Sequence, residues 1–200
     1  MKRQKRPVQK ASIIREYWPC IVPPGKSGEW YIEQFIIDKQ GSAFSSLRIG
    51  GYVPEGEYTK LVRGKSNRSG PIMSDTPKEK LDHMEFFLEA TGRVLINGLG
   101  LGCALNVVLH LPGVAEVTVI ELSPDVIRLV APSFPDPRVT IIEADARTWT
   151  PPRGVRYGAV WHDIWDSICG DNLPEMKSLH RRYGRRTNWQ GSWARDQIRK

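Results

Sequence analysis

The sequence predicts an α/β fold: a mostly parallel sheet flanked by helices, preceded by a small antiparallel β unit. Three observations carry that expectation. From about residue 75 onward, short apolar runs alternate with stretches of helical spacing, the pattern of strand–helix–strand crossovers. A glycine-rich turn, Gly98-Leu99-Gly100-Leu101-Gly102, joins one apolar run, Val94-Leu95-Ile96, to the helix that follows. Between Glu29 and Arg63 the apolar period is instead close to two.

In chain order, residues 1–28 are a basic arm and a Pro/Gly-rich passage. Gly25-Lys26-Ser27 matches the end of a phosphate-binding loop, but Cys20 stands where its first glycine is needed and no apolar strand precedes it. That motif is excluded. Residues 29–70 are expected to hold the β unit and a linker: a strand from Trp30, a turn at Lys39–Ser42, a returning strand from Ala43 to Ile49, and another from Tyr58 to Val62. Residues 71–200 are expected to form the main domain. Thr76-Pro77-Lys78-Glu79 is a helix start, and Leu81, Met84 and Leu88 predict one helix of about 12–15 residues leading to the glycine turn. Beyond the turn, Ala104, Leu105, Val107, Val108 and Leu111 follow helical spacing. Strands are expected over Ala115–Glu121, Arg138–Ile142 and Tyr157–Trp161, with a helix starting at Ser123-Pro124. Past residue 172 no β-like apolar run is visible. Leu173, Met176, Leu179 and His180 fit a helix, Trp189 and Trp193 another, and the sheet is expected to stop after four strands.

Two hundred residues with 40% hydrophobic content suit one domain with a small appendage. No apolar run reaches membrane-spanning length, and the basic start leads into no signal-like apolar stretch, so no membrane association is expected. Cys20, Cys103 and Cys169 lie far apart in sequence and match no metal-ligand spacing, which points to a reducing cytoplasm and no metal. The net charge of +7 is uneven. Residues 1–10 carry five basic groups, and residues 181–200 carry seven against Asp196, leaving −4 for residues 11–180. Basic ends could meet nucleic acid, although a solvated tail and charged helix face explain them as well.

Each predicted strand of the main domain ends in a polar or acidic group: Asn97 with the glycines, Glu121, Asp145 and Asp163. In a parallel sheet these ends share one rim, where ligands bind. An acid some twenty residues past the glycine turn can accept hydrogen bonds from two ribose hydroxyls. Asp145 can accept from an adenine amine while Ala146 offers a backbone N–H to a ring nitrogen. No phosphate-binding lysine accompanies the set, which favours S-adenosylmethionine over a nucleoside triphosphate.

Val94 to Gly102, Val119-Ile120-Glu121-Leu122, Pro135 to Val139, Asp145-Ala146 and Tyr157 to Asp166 together resemble the class I S-adenosylmethionine-dependent methyltransferases, and most of all their spermidine synthase-like branch. The resemblance spans roughly residues 75–166. It implies a Rossmann-like fold, truncated here at its C-terminal side, and a bound S-adenosylmethionine. By the same resemblance Gly98, Gly100 and Gly102 would hold the amino-acid moiety, Glu121 the ribose and Asp145 the adenine, with Asn97, Leu122, Ala146 and Asp163 also among the cofactor-binding residues. Asp163 would face the reacting centre, and Asp166 stands at the position of the branch's catalytic aspartate. The sequence departs from the aminopropyl transferases of that branch in having Leu101 where they carry an acid, and in lacking a proline after Asp166. The resulting expectation is a methyltransferase acting on a small-molecule acceptor, with Asp163 or Asp166 as base. An aminopropyl transferase is the alternative enzyme, and a non-catalytic binding module the alternative outside catalysis. A homodimer would be one way to cover the edge of a short sheet.

Overall fold

The computed structural model describes residues 19–41, 53–64, 71–167 and 169–198. The returning strand expected over Ala43–Ile49, most of the polar linker, and the basic arm over residues 1–10 lie outside the described residues. Two sheets are present. A four-stranded antiparallel sheet runs in the order β1 (Gly25–Ser27), β2 (Trp30–Ile37), β3 (Gly56–Arg63) and β4 (Met73–Ser74). Its outer strands thus come from either side of the expected 29–70 unit. Two short helices, α1 (Pro77–Leu81) and α2 (Met84–Glu89), lead into the second sheet.

That second sheet contains β5 (Gly92–Asn97), β6 (Val114–Glu121), β7 (Val139–Glu143), β8 (Tyr157–His162) and β9 (Thr187–Ser192), with every pairing parallel. The spatial order is β7-β6-β5-β8-β9. Helices α3 (Cys103–His110), α4 (Pro124–Val130) and α5 (Asn172–Tyr183) make the crossovers, and α6 (Arg195–Ile198) follows the last strand. The fold is Rossmann-like. From β5 the chain runs outward one way through β6 and β7, then returns to place β8 on the other side, so the switch point lies between β5 and β8.

β5 is central because Val94, Leu95 and Ile96 are buried on both faces. Behind it, the apolar residues spaced along α3 are all buried, as expected. Ser123 caps α4, its hydroxyl accepting the Val126 N–H at 3.3 Å.

Two expectations are corrected. The single helix over residues 77–90 is broken at Asp82-His83, and of Leu81, Met84 and Leu88 only Met84 packs against the core. Leu81 and Leu88 are exposed, while Lys80, His83, Phe86 and Phe87 are buried. The break turns Phe86 onto β8, where its ring stacks on Trp161 with centroids 5.5 Å apart. The sheet also does not stop at four strands. Thr187–Ser192, expected to lead into a helix around Trp189, pairs along β8, and Trp189 stacks on Trp161 at 6.3 Å with an 8° angle between planes.

The β8 edge is therefore covered by a strand, β9, while α5 packs on its face through Met176, Leu179 and Tyr183. Deleting residues 185–200 is expected to cost at least about 3 kcal/mol in urea unfolding, since it removes the β8–β9 ladder together with the partly buried Trp189 and Trp193, and to promote self-association through the bared edge. An unchanged unfolding midpoint and a monodisperse truncated protein would refute this.

Candidate functional site

The carboxyl ends of the parallel strands are tied to one another beyond the regular ladder. The Gly98 N–H donates to the Ile120 carbonyl (2.8 Å), Asp163 N–H to the Asn97 carbonyl (2.8 Å), and Ala144 N–H to the Glu121 carbonyl (2.9 Å). These bonds bring the strand ends onto one rim around a cavity of about 510 Å³, within the range of small-molecule sites. Gly98, Gly100, Glu121 and Leu122 line it, and so do Asp145, Ala146, Asp163 and Asp166. Asn97 and Gly102 do not. Asn97 is fully buried with its Nδ2 2.7 Å from His162 Nδ1, and a side chain on Gly102 would run into Phe134. Both serve the packing behind the turn.

Gly98 has φ +99° and a constraint of another kind: a Cβ there would stand 1.9 Å from the Asp163 carbonyl oxygen. The backbones of β5 and β8 approach too closely for any side chain. The antiparallel sheet closes the turn from above, since Met73 of β4 places its sulfur 3.4 Å from the Leu101 N–H. Trp30 and the Glu29–Arg63 ion pair (2.6 Å) add to the same wall.

Glu121 is held in place by its own turn. Oε2 accepts the Leu99 N–H and Oε1 the Ser123 N–H, both at 2.8 Å. Burial pushes its carboxyl above the ordinary 4.5 against the opposing pull of these donors. Each oxygen retains a lone pair for a further donor from the cavity. Asp145 accepts the Arg147 N–H at 2.8 Å, and Arg147 in turn reaches Glu175 at 3.1 Å. Trp165 also lines the cavity, and its indole N–H donates to Glu175 at 2.8 Å.

Asp163 is paired. Its Oδ2 lies 3.0 Å from Nε2 of His83, a fully enclosed histidine at the break between α1 and α2. The other ring nitrogen, Nδ1, faces the Glu79 carbonyl at 3.0 Å. A carbonyl only accepts, so Nδ1 carries a hydrogen, and a proton must also lie between Nε2 and the carboxylate. Burial opposes a charge on His83, but the Asp163 carboxylate outweighs it and holds the imidazole above its ordinary 6.5. Glu79 lines the cavity too; burial pushes its carboxyl up to about 7, although the backbone N–H and hydroxyl of Ser74 pull the other way.

Glu79 and His83 are the site residues that strand-end reasoning missed. The sequence signal was the Asp82-His83 pair, ambiguous until the helix break turned His83 inward. His162 is structural: burial, with the His180 charge adding to it, drives its pKa down to about 3 and keeps it neutral. Among the described residues no cluster of His, Cys, Asp or Glu is placed to hold a metal ion, and no helix is long and apolar enough to cross a membrane.

The raised Glu79 has a linkage consequence. Between pH 4.5 and about 7 the folded protein keeps a proton that the unfolded chain releases, so stability falls as pH rises through that window. Glu79→Gln is expected to flatten this fall, as followed by urea titration at pH 5, 6 and 7. A slope identical to that of the parent protein would count against a buried, proton-holding Glu79.

Three arginines, Arg156, Arg182 and Arg186, gather at the opposite end of the sheet. Arg156 donates to the Arg185 carbonyl (2.6 Å), Arg182 to that of Trp149 (2.8 Å), and Arg186 to that of Pro151 (3.3 Å). They stand at the amino ends of β8 and β9, away from the cavity.

No family model matches the chain. Among solved structures it is similar to an S-adenosylmethionine-dependent methyltransferase from Mesorhizobium loti (19% identity, 46% of this chain and 42% of that one, TM-score 0.37). It is also similar to the CcbJ methyltransferase of Streptomyces caelestis (18% identity, 54% and 43%, TM-score 0.42). A third is CalS10, an amino pentose methyltransferase of Micromonospora echinaspora solved with S-adenosylmethionine bound (22% identity, 52% and 43%, TM-score 0.38). Among curated proteins, polyamine aminopropyltransferase 2 of Ralstonia nicotianae is 39% identical over 67 residues, 28% of this chain and 13% of that protein. Polyamine aminopropyltransferase 1 of Streptomyces coelicolor is 37% identical over 100 residues, 45% of this chain; the match spans less than a fifth of that protein's length, 18%.

Proposed function

We propose that the cavity binds S-adenosylmethionine and that the chain is an S-adenosylmethionine-dependent transferase, a methyltransferase in the first instance. The observation that supports it most is the convergence of Gly98, Gly100, Glu121 and Asp145 on one rim beside the switch point. Glu121 is fixed by two backbone donors with lone pairs to spare for ribose hydroxyls, and Asp145 with Ala146 stands where an adenine edge would be read. The bound sulfonium supplies the electrophilic carbon. The protein's part is to align the acceptor and take its proton. In this reading the carboxylate of Asp166, exposed at the rim, or that of Asp163 is the group that receives it.

Calorimetry is expected to show binding of S-adenosylmethionine and of its demethylated product, with Glu121→Ala weakening both by about 1–3 kcal/mol. Absence of heat from either ligand on folded protein would overturn the assignment.

Aminopropyl transfer is the second reading, and a specific feature favours it. Glu79, Glu121, Asp145, Asp163 and Asp166 all line the cavity; Asp163 is paired with His83, Arg147 is shared between Asp145 (3.6 Å) and Glu175, and Arg63 is engaged by Glu29, so carboxylates remain in excess. Such a lining suits a polyamine, and the curated relatives are polyamine aminopropyltransferases. Leu101 in place of an acid weighs against it. Mass spectrometry of products from S-adenosylmethionine, or from its decarboxylated form with a diamine, separates the two.

A further inference from the structure

The backbone N–H groups of the glycine turn are not equally placed to meet a ligand. Those of Gly98, Leu99 and Gly102 are taken within the fold, by the Ile120 carbonyl (2.8 Å), Glu121 Oε2 (2.8 Å) and the Leu99 carbonyl (2.9 Å). The Leu101 N–H points at the Met73 sulfur from 3.4 Å. The Gly100 N–H has no partner among the described residues. Gly100 and Met73 both line the cavity, whereas Leu101 is buried and does not. The contact is close: a Cβ on Gly100, which has φ +51°, would stand 2.5 Å from the Met73 sulfur. The thioether fills the space that the missing side chain leaves.

We propose that Met73 is a displaceable cover over the Gly100–Leu101 pair of N–H groups, and that it sets how strongly the cavity prefers a ligand with a carboxylate at its amino-acid end. The inference rests on the reading that S-adenosylmethionine binds here with that end at the glycine turn. The backbone around Met73 is fixed. The Ile72 N–H donates to the Leu61 carbonyl (2.9 Å), the Asp75 N–H to that of Thr59 (3.0 Å), and the Ser74 N–H to Glu79 Oε2. The side chain is held less firmly. Methionine is unbranched with three rotatable bonds, and Met73 is only partly buried, so the sulfur can leave the N–H without moving β4.

A thioether sulfur is a weak acceptor, so Met73 satisfies the Leu101 N–H in the free protein and yields to a stronger partner. A carboxylate is such a partner: its bonds to N–H groups are charge-assisted and about twice as strong as neutral ones. One oxygen would take the Gly100 N–H, and the other the Leu101 N–H once the sulfur has turned aside. The gain is reduced by the bond that the sulfur gives up. A ligand without the carboxylate has nothing to offer the Leu101 N–H, leaves Met73 in place and meets no such cost. Met73 therefore narrows the preference for S-adenosylmethionine over its decarboxylated form.

Calorimetry on the full chain with S-adenosylmethionine, and with its decarboxylated form, measures the ratio of the two affinities and needs no turnover. Met73→Leu puts a methyl group where the sulfur stands and removes the acceptor. It is expected to tighten S-adenosylmethionine about three- to ten-fold, the scale of one neutral hydrogen bond, and to leave the decarboxylated form within about two-fold. Met73→Ala should shift the ratio in the same sense, although lost contact with the cavity wall weakens both ligands together. A methionine that only packed the wall would change both affinities alike. An unchanged ratio in the folded variants would therefore overturn the inference and leave the cavity assignment standing. Absence of heat from both ligands with the parent protein would overturn the cavity assignment, and this inference with it.

Discussion

Gly98→Ala is expected to destabilise the protein by about 2–5 kcal/mol and to abolish ligand binding in the cavity. The added methyl would stand 1.9 Å from a backbone oxygen, that of Asp163, rather than from a side chain able to turn aside. Overpacking costs about 1–3 kcal/mol, and a non-glycine residue at positive φ adds about 1–2 kcal/mol. The relief available is to push the end of β8 away from β5, which opens the Asn97–Asp163 bond and carries the Asp163 carboxylate off the rim. Urea unfolding and calorimetry with S-adenosylmethionine are the measurements. A variant with the parent midpoint and affinity would show that the two strand ends can separate freely.

Removal of the Asp163 carboxylate is the second large change. Asp163→Ala leaves His83, enclosed on all sides, with a proton and no counter-charge; breaking a buried pair in this way costs about 3–5 kcal/mol. The loss depends on pH in a definite sense. A histidine whose folded pKa is raised contributes stability that is fully present below its unfolded value, 6.5, and that disappears as pH rises through the folded value. The gap between parent and variant should therefore be widest on the acid side of 6.5 and close in alkaline buffer. A gap that stays constant or widens with pH would mean that the pair does not share a proton. Asp163→Asn, which keeps the shape and removes the charge, is expected to show the same trend.

The parts of this site that could be read from sequence are those set by local rules. Glu121 ends an apolar run and Asp145 stands just past the next strand, after Glu143-Ala144, so their place on the rim needs only the knowledge that the strands are parallel. Gly98 announces itself by composition, although its reason, the Asp163 carbonyl, lies across the sheet. The His83–Asp163 pair joins residues 80 apart, and no periodicity encodes such a meeting. It also depends on a helix break at Asp82-His83 that the favourable spacing of Leu81, Met84 and Leu88 concealed. β9 escaped notice because Thr187-Asn188-Trp189-Gln190-Gly191-Ser192 has little apolar content. An edge strand needs only one neighbour, and here Trp189 supplies most of what the packing requires.

Among the described residues, the arginines at the amino ends of β8 and β9 and the carboxylates at the opposite rim set charge of opposite sign at the two ends of the sheet. A cation approaching from solution meets a potential that falls toward the cavity mouth, while the far end repels it, so productive collisions are favoured over random ones. Added salt shortens the reach of this field to about 8 Å at physiological strength. For a cationic ligand, the signature is an association rate that drops with salt while the dissociation rate stays nearly constant. A zwitterion, pulled at one end and pushed at the other, would show much less of either.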